Sequence, residues 1–261
     1  MTDRMADGSA GDADYGYIST VYTGFRRPDP RIAAVIADAL GDAVSVLNVG
    51  AGAGAYEPAD RQITAVEPSQ SMRALRPADR PAIDAVAERL PFADNTFDAA
   101  MATFTVHQWH DLAAGLAEMR RVTRGPVAIL TCDPTLVKHF WLYQYTPEVL
   151  EVEARRYPTI DQLADSLGAI EVRPVPIPSD CLDGFNEAYY GRPEMLLDPE
   201  ARQACSAWSF VDEAAVTRGA TALAQDLTDG TWDRRHGQLR STAAYTGSLV
   251  LVISAGSDSS T

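Results

Sequence analysis

The sequence predicts an α/β protein in which short buried strands alternate with helices around one mostly parallel sheet. Two apolar runs, Ser45–Val49 and Val127–Cys132, have the length of a buried strand and are too short for a buried helix. A helix is predicted between them, because apolar side chains recur there at helical spacing. Those side chains are Leu112, Leu116, Met119 and Val122. Strands that alternate with helices form right-handed βαβ units, and such units build a parallel sheet.

The other elements follow in chain order from the same kinds of pattern. A helix is predicted at Arg31–Leu40, because Pro30 is suited to start it and Gly41 to end it. The remaining strands are predicted at Ile63–Val66, Asp98–Phe104, Ile170–Ile177 and Gly247–Ser254. Two prolines interrupt the third of these runs, so we expect that strand at a sheet edge.

We expect five segments along the chain. A polar tail of small residues at 1–14 precedes a helical flap at 15–40 and a sheet core at 41–178. A helical lid is expected at 179–240, because a stretch of that length without a clear strand is too long for a simple connection. The final strand of the core follows at 241–255.

Charge and composition disfavour several classes of partner. The chain has 36 acidic and 22 basic residues, a formal charge of −14, whereas nucleic-acid binding depends on clustered basic residues. No apolar run approaches the ~18 residues of a membrane span, and the N-terminus lacks the features of a secretory signal. We therefore expect a cytoplasmic protein with no nucleic-acid or membrane partner.

The cysteines indicate neither a disulfide framework nor a metal site. Cys132, Cys181 and Cys205 are odd in number and widely spaced. No paired Cys or His spacing of the kind that binds zinc accompanies them. We therefore expect no metal.

The strongest motif is a glycine-rich run directly after the first strand. In VLNVGAGAGAYE, the strand leads into Gly50, Gly52 and Gly54. Glycine lets the chain turn tightly and lets a ligand approach the main chain. Taken alone, the run also fits an ordinary loop before a helix. Its spacing differs from the G-x-G-x-x-G of NAD-dependent dehydrogenases, which disfavours that class.

A carboxylate at the end of the second strand makes the motif more specific. Glu67 follows Ile63–Val66, and parallel strands bring their carboxyl ends to the same edge of the sheet. A carboxylate there can accept hydrogen bonds from both hydroxyls of a ribose. No basic residues accompany the motif to hold a phosphate. Together these features favour an adenosine without phosphate, such as S-adenosylmethionine (SAM).

Three segments in this order resemble the class I SAM-dependent methyltransferases. They are VLNVGAGAG, AVEPSQSM and AERLPFADNTFDAAMATFTVHQW. The resemblance is to the small-molecule enzymes related to the ubiquinone and menaquinone C-methyltransferases, and it covers about residues 15–133 and the last strand. It implies a Rossmann-like sheet of seven strands with an antiparallel last strand, an N-terminal helical flap and a helical lid inserted before that strand. It also implies that SAM is converted to S-adenosylhomocysteine (SAH).

The resemblance also implies which residues bind the cofactor. The glycines would line the methionine and ribose, Glu67 would bind the ribose hydroxyls, and Met72 would pack on the adenine. Asn48 and Val86 depart from the family, which usually has Asp at the first position and often at the second. The full set is Gly50, Ala51, Gly52, Gly54, Glu67, Pro68, Met72, Ala87, Glu88, Thr103, Tyr22 and Arg26.

His107 is the candidate catalytic residue at the reacting end. A histidine in the loop after the fourth strand can take a proton from the acceptor, because its pKa lies near working pH. A structural role at the sheet edge also stays open, since methyl transfer mainly requires alignment of donor and nucleophile. The candidate substrate residues are Trp109, Asp133, Phe185, Tyr189 and Trp208.

The sequence therefore predicts an enzyme that methylates an O, N or C atom of a small metabolite, with secondary metabolism as one setting for it. Two other functions stay open. One is a SAM-binding enzyme of the same fold that transfers no methyl group, such as a cyclase. The other is a methyltransferase that acts on tRNA or protein, which the charge of −14 disfavours.

Overall fold

A seven-stranded sheet forms the centre of the molecule in a computed structural model, which describes residues 24–256. Its strands are β1 Ser45–Val49, β2 Gln62–Val66, β3 Ala82–Ile83, β4 Ala99–Thr103, β5 Val127–Cys132, β6 Ile170–Pro174 and β9 Leu249–Ser254. Their order is β3-β2-β1-β4-β5-β9-β6, and β9 runs antiparallel to both of its neighbours while the other pairs are parallel. A separate antiparallel pair joins β7 Ile177–Pro178 to β8 Ala244–Tyr245.

Helices lie along the connections between these strands. They are α1 Pro30–Ala39, α2 Gln70–Ala74, α3 Leu112–Val122, α4 Pro147–Arg156, α5 Ile160–Leu167, α6 Pro199–Gln203, α7 Glu213–Thr228 and α8 Thr231–His236. Short 3₁₀ turns occupy Val106–Gln108, Val137–His139, Trp141–Gln144, Asn186–Tyr189, Pro193–Leu197, Ser206–Phe210 and Gly237–Ser241. Several helices begin where an aspartate side chain accepts a hydrogen bond from a first-turn N–H, as Asp29, Asp111 and Asp212 do.

The two faces of the sheet are covered by different layers. Successive side chains of a strand point to opposite faces, so Val46 packs on one side and Leu47 on the other. The face with Leu47 is covered by α3 and α5, through Leu116 and Leu163. The face with Val46 is covered by α1 and by a large helical layer that we call the cap, formed by residues 137–157 and 181–241. All six residues of β5 and of β9 are buried between these layers.

The fold class predicted from the sequence is confirmed, including the seven strands and the antiparallel last strand. One element is wrong: the expected single strand Ile170–Ile177 is split, since β6 ends at Pro174 and β7 begins at Ile177. Proline has no N–H to donate, so the two prolines in this run interrupt the ladder with β9. β6 lies at the sheet edge, as its prolines predict.

The cap is built from two separate stretches of the chain. α4 packs against the turn Ser206–Phe210, and α7 packs against α8 and the turn Pro193–Leu197. A side chain at Gly219 of α7 would meet the backbone of Tyr145, so the stretch before α4 is in direct contact with α7. The lid boundary at residue 179 stays a prediction, and the cap also includes the stretch before it.

The described residues leave part of the N-terminal prediction outside the structure. Tyr22, the tail at 1–14 and the first part of the flap, 15–23, lie outside residues 24–256, whereas Arg26 and α1 lie inside them. None of the helices described between residues 24 and 256 has the length and apolar character needed to cross a bilayer. Cys132, Cys181 and Cys205 are buried free thiols.

Candidate active site

The glycine-rich loop forms one wall of the candidate cofactor site, at the carboxyl end of β1. Gly50, Gly52 and Gly54 all have positive φ angles, of 68°, 51° and 93°. The backbone N–H groups of Gly50 and Ala51 both donate to the carbonyl of Val66 at 2.9 Å, which ties the loop to the end of β2. Only glycine accommodates this backbone without strain.

Gly50 is restricted by space as well as by conformation. A Cβ atom at this position would lie 2.0 Å from Oγ1 of Thr105, which follows β4. The loop after β1 and the loop after β4 are therefore in van der Waals contact. Thr103, the last residue of β4, is half-buried next to this contact.

Glu67 connects the ends of β1 and β2, as its position in the sequence predicts. Its Oε2 accepts a hydrogen bond from the N–H of Gly52 and its Oε1 accepts one from the N–H of Ser69, both at 2.8 Å. The residue is 7% exposed, and burial raises the pKa of its carboxyl, while these two N–H groups act in the opposite direction. The carboxylate is thus held in one position at the edge where a ribose would lie.

Residues of α2 complete this corner. Ser69 accepts from the N–H of Met72 and so caps the helix. The buried Met72 places its Cε 3.3 Å from where a Cβ on Gly52 would be. The carbonyl of Pro68 accepts from Arg73 at 2.8 Å. Met72 is therefore next to both the glycine-rich loop and Glu67.

A buried ion pair beneath the loop was not predicted from the sequence. Arg76 donates to both carboxylate oxygens of Glu57, at 2.9 and 3.0 Å, and both side chains are 2% exposed. Arg76 also reaches the carbonyl of Gly52 at 3.3 Å. Asn48 donates to Glu57 at 3.0 Å, and its buried Oδ1 has no partner among the described residues. The ion pair therefore stabilises the glycine-rich loop through the contact of Arg76 with the Gly52 carbonyl.

Ala87, Glu88 and Trp109 lie together beside α3. Ala87 and the Trp109 ring both border the position that a Cβ on Gly115 would take. Glu88 accepts from the N–H of Asp111 at 3.1 Å. Trp109 is thus on the side where the resemblance places adenine. The structure does not bring it to the predicted substrate residues of the cap.

Aromatic rings and an ion pair connect the loop after β4 to the cap. The rings of Phe104 and Phe185 have centroids 5.3 Å apart, and the Arg26 guanidinium lies 5.1 Å from the Phe104 centroid. Arg26 forms an ion pair with Asp183, which also accepts from the Tyr56 hydroxyl at 2.8 Å. Arg26 therefore lies beside the loop after β4 with Asp183 as a carboxylate partner, and its role in cofactor binding stays a prediction.

Two residues here have a backbone conformation that is rare outside glycine. Tyr56 has a φ of 63° and Phe104 a φ of 52°. Such conformations cluster at functional sites, where the surrounding contacts hold them in place. Both residues are at the junction of the glycine-rich loop, the loop after β4 and the cap.

A cluster of polar side chains lies between the carboxyl end of β5 and the cap. Asn186 donates to Oε1 of Glu153 at 2.8 Å and accepts from Nε1 of Trp208 at 2.9 Å. Both oxygens of Glu187 accept from the N–H of Ser248 at 3.0 Å. Burial is the main cause that raises the pKa of Glu153 and of Glu187 to about 7 each.

His107 adjoins this cluster. Its ring packs edge-on against Tyr157 with centroids 4.7 Å apart, and its buried Nδ1 has no hydrogen-bond partner among residues 24–256. Burial, together with Arg156 and Arg26, holds the pKa of His107 well below its usual range. The imidazole is therefore neutral near pH 7.

The other predicted substrate residues differ in their surroundings. Phe185 and Trp208 border the polar cluster through Phe104 and Asn186. Tyr189 is 3% exposed and packs near Gly184 and Arg192, in the interior of the cap. Asp133 accepts from the N–H and hydroxyl of Thr135, at 2.9 and 2.7 Å, so its bonds are those of a local turn.

Glu153, Tyr157, Asn186 and Glu187 were not among the residues predicted from the sequence. The segment PEVLEVEARR reads as an ordinary amphipathic helix, in which Glu153 is one of three glutamates. The partners of Glu153 follow it by 33 residues or more, as the hydrogen bond from Asn186 shows. Only their burial and their hydrogen bonds in the folded cap identify them.

The sheet order, the glycine-rich loop and the carboxylate at the end of β2 resemble those of the class I SAM-dependent methyltransferases. Residues 47–129 match the sequence model of the family described as "Methyltransferase domain". The chain therefore resembles the class I SAM-dependent methyltransferases, including the menaquinone group, as the sequence predicts.

Relatives and solved structures extend this likeness. The chain is 34% identical over 142 residues to a demethylmenaquinone methyltransferase of Corynebacterium urealyticum, a match that covers 50% of this chain and 62% of the relative. A second such enzyme, from Mycolicibacterium vanbaalenii, is 40% identical over 36% of this chain and 39% of its own length. The chain thus matches less than two thirds of the length of these curated relatives.

Two crystal structures cover more of the chain. One, described as a methyltransferase from an antibiotic biosynthesis pathway of Anabaena variabilis, has a TM-score of 0.80 and 28% identity, over 88% of this chain and 98% of that chain. The other is the (4+2)-cyclase SpnF, with a TM-score of 0.51 and 16% identity over 92% of both chains. At that identity the second likeness shows the fold alone.

Proposed function

We propose that this chain transfers the methyl group of SAM to a small-molecule acceptor held between the carboxyl ends of the parallel strands and the cap. The observation that carries the proposal is the position of Glu67. Its two oxygens are fixed by the N–H groups of Gly52 and Ser69, at the adjoining ends of β1 and β2. In an open α/β sheet this edge is where a nucleoside binds, and a fixed carboxylate there suits the two hydroxyls of a ribose.

The neighbours of Glu67 support SAM rather than a phosphate-bearing nucleotide. The glycine-rich loop lets the methionine part of SAM approach the main chain, and Met72 supplies an apolar surface for the adenine. Arg76, the basic side chain beneath the loop, is already paired with Glu57. We assign the remaining predicted contacts to the same ligand: Ala51, Gly54, Pro68, Ala87, Glu88, Thr103, Tyr22 and Arg26.

The acceptor would lie on the opposite side of the loop after β4. Phe104, Phe185 and Trp208 supply apolar and aromatic surface there, and His107 and Glu153 supply polar groups. Methyl transfer from a sulfonium is an in-line displacement, so a cap that aligns the acceptor and excludes water accounts for much of the rate. Trp109 and Asp133 have no part in this proposal.

The setting of the reaction is a further part of the proposal. The likeness to a structure described as belonging to an antibiotic biosynthesis pathway supports a role in secondary metabolism. The net charge of −14 supports a small metabolite over tRNA as the acceptor. The compartment we propose is the cytoplasm.

Product analysis tests the proposal. The purified chain is incubated with SAM and a low-molecular-weight extract of cells, and SAH and methylated products are measured by mass spectrometry. SAH and a methylated product are expected to appear together. Gly52→Val is expected to stop both while the protein stays folded, because a branched side chain at a φ of 51° distorts the loop.

The same assay distinguishes the cyclase-like alternative. Binding of SAM with chemical change of an extract component, but without formation of SAH, would replace methyl transfer by a SAM-dependent reaction of another kind. Equal SAH formation by the wild type and Gly52→Val would place the cofactor elsewhere.

A further inference from the structure

Glu153 is a carboxylate of the cap that receives a single hydrogen bond from the described residues. Asn186 donates to its Oε1 at 2.8 Å, and no other hydrogen bond to this carboxylate occurs within residues 24–256. Its neighbour Glu187 differs, because both of its oxygens accept from the N–H of Ser248. Glu153 keeps part of its surface accessible although protein surrounds it, whereas Glu187 is 6% exposed. Glu153 therefore has an oxygen available for a ligand.

A short chain of contacts connects Glu153 to the cofactor side. Gly50 abuts Thr105 in the loop after β4, and Phe104 of the same loop packs on Phe185. The next residue, Asn186, is the donor to Glu153. The carboxylate is thus separated from the glycine-rich loop by the width of a few side chains. That space is the one in which the proposed function puts the acceptor.

The surroundings of Glu153 favour reversible protonation. Burial and the carboxylate of Glu187 raise the pKa of Glu153, while Asn186 and the guanidinium groups of Arg156 and Arg26 act in the opposite direction, and the result is about 7. The titratable and charged groups that face it are Arg26, Cys132, Arg156, Tyr157, Glu187 and Cys205. A carboxylate of this kind can hold a proton at neutral pH, which suits a general base.

We propose that Glu153 is the general base for a proton-bearing heteroatom acceptor, a hydroxyl or an N–H, and that this chain therefore methylates oxygen or nitrogen. The inference rests on the proposed function. The nucleophile attacks the methyl carbon as the carbon–sulfur bond of SAM breaks, with the electron pair passing to sulfur to give SAH. The O–H or N–H bond breaks, and its proton moves to the free oxygen of Glu153.

His107 takes a different role in this account. Because its pKa lies well below the usual range, its neutral ring holds a proton weakly at working pH. Its unpartnered Nδ1 is suited to accept a hydrogen bond from the acceptor and so to orient it. This role replaces the assignment of His107 as the base.

The first arm of the test identifies the methylated atom. SAM with an isotope-labelled methyl group is incubated with the wild type and the low-molecular-weight cell extract, and the labelled product is examined by NMR. A methyl group on oxygen or nitrogen is expected, and one on carbon overturns the inference while leaving the proposed function intact. Formation of no labelled product contradicts the proposed function and the inference with it.

The second arm measures Glu153→Gln on that product. The rate is expected to fall by about 100-fold or more, as for loss of a general base, and to lose its rise with pH through about 7. SAH affinity is expected to stay within about twofold. Glu153→Asp keeps a carboxylate and is expected to recover part of the rate together with the pH dependence, which separates base chemistry from loss of the fold.

Glu148→Gln is the matched control, because Glu148 lies on the same helix and pairs with Arg218 at the surface, where the two side chains are 40% and 66% exposed. Its rate and pH profile are expected to match the wild type. A Glu153→Gln enzyme that binds SAH and retains the wild-type rate and pH profile overturns the inference.

Discussion

The two ends of the candidate site are built from different kinds of groups. At the cofactor end, the main chain supplies the geometry through three glycines with positive φ and two N–H groups that fix Glu67. At the acceptor end, side chains from distant parts of the sequence meet, as Glu153 and Asn186 do. The first end needs a particular backbone, whereas the second needs the cap to fold around it. Variants at the two ends should therefore fail in different ways.

The largest effect is expected from removing the support beneath the cofactor loop. Arg76→Ala leaves the Glu57 carboxylate buried and unpaired, which costs about 3–5 kcal/mol of the free energy of unfolding. Denaturant titration measures this loss. The double variant Glu57→Gln with Arg76→Met leaves no buried charge and should recover much of it. If Arg76→Ala is as stable as the wild type, the pair does not support the loop.

Gly50→Ala should weaken SAH binding with less effect on stability. The added Cβ would lie 2.0 Å from Oγ1 of Thr105 at a φ of 68°, so the loop must move. We expect about a 100-fold loss of affinity, or ~2.7 kcal/mol, by calorimetry. Gly168→Ala is the control, because Gly168 also has a positive φ, of 77°, with open space around its Cβ position. Equal SAH affinity in both variants would show that the loop tolerates displacement.

The acceptor end should make the smaller contribution, through the pH dependence of stability. The pKa values of Glu153 and Glu187, raised to about 7, lie above those of unfolded carboxyls, at about 4.3. The folded state therefore binds more protons between these values, and the free energy of unfolding should fall as pH rises through that window. Glu187→Gln should reduce this slope, as seen in melting temperatures from about pH 5 to about pH 8. An unchanged slope would mean that Glu187 titrates normally in the folded protein.

The same contrast explains how far the sequence predicts the site. The glycine-rich run and Glu67 are readable because parallel strands bring their carboxyl ends together, so residues adjacent to strands become neighbours in space. Strand periodicity likewise predicts the sheet. The break between β6, which ends at Pro174, and β7, which begins at Ile177, arises because the prolines cannot donate ladder hydrogen bonds. The resemblance to class I methyltransferases is confirmed, and the individual site residues stay predictions.

The acceptor end is not readable in the same way. Nothing local distinguishes Glu153 from Glu148 or Glu151 on the same helix. Its surroundings arise only when the cap closes against β5 and the loop after β4. Trp109 shows the converse: an aromatic residue in the right loop packs against Ala87 and Gly115 beside α3. Side-chain environments set by long-range packing therefore lie beyond what periodicity and motif spacing predict.

The measurement that tests the account most directly is calorimetry of SAH binding to Glu67→Ala and Glu153→Gln side by side with the wild type. Loss of the Glu67 carboxylate should weaken binding by about tenfold or more, because charge-assisted hydrogen bonds contribute about 1.5–3 kcal/mol. Glu153→Gln should bind SAH within about twofold of the wild type. If Glu67→Ala binds SAH as tightly as the wild type, the ribose is not held at the ends of β1 and β2, and the division of the site into a cofactor end and an acceptor end is wrong.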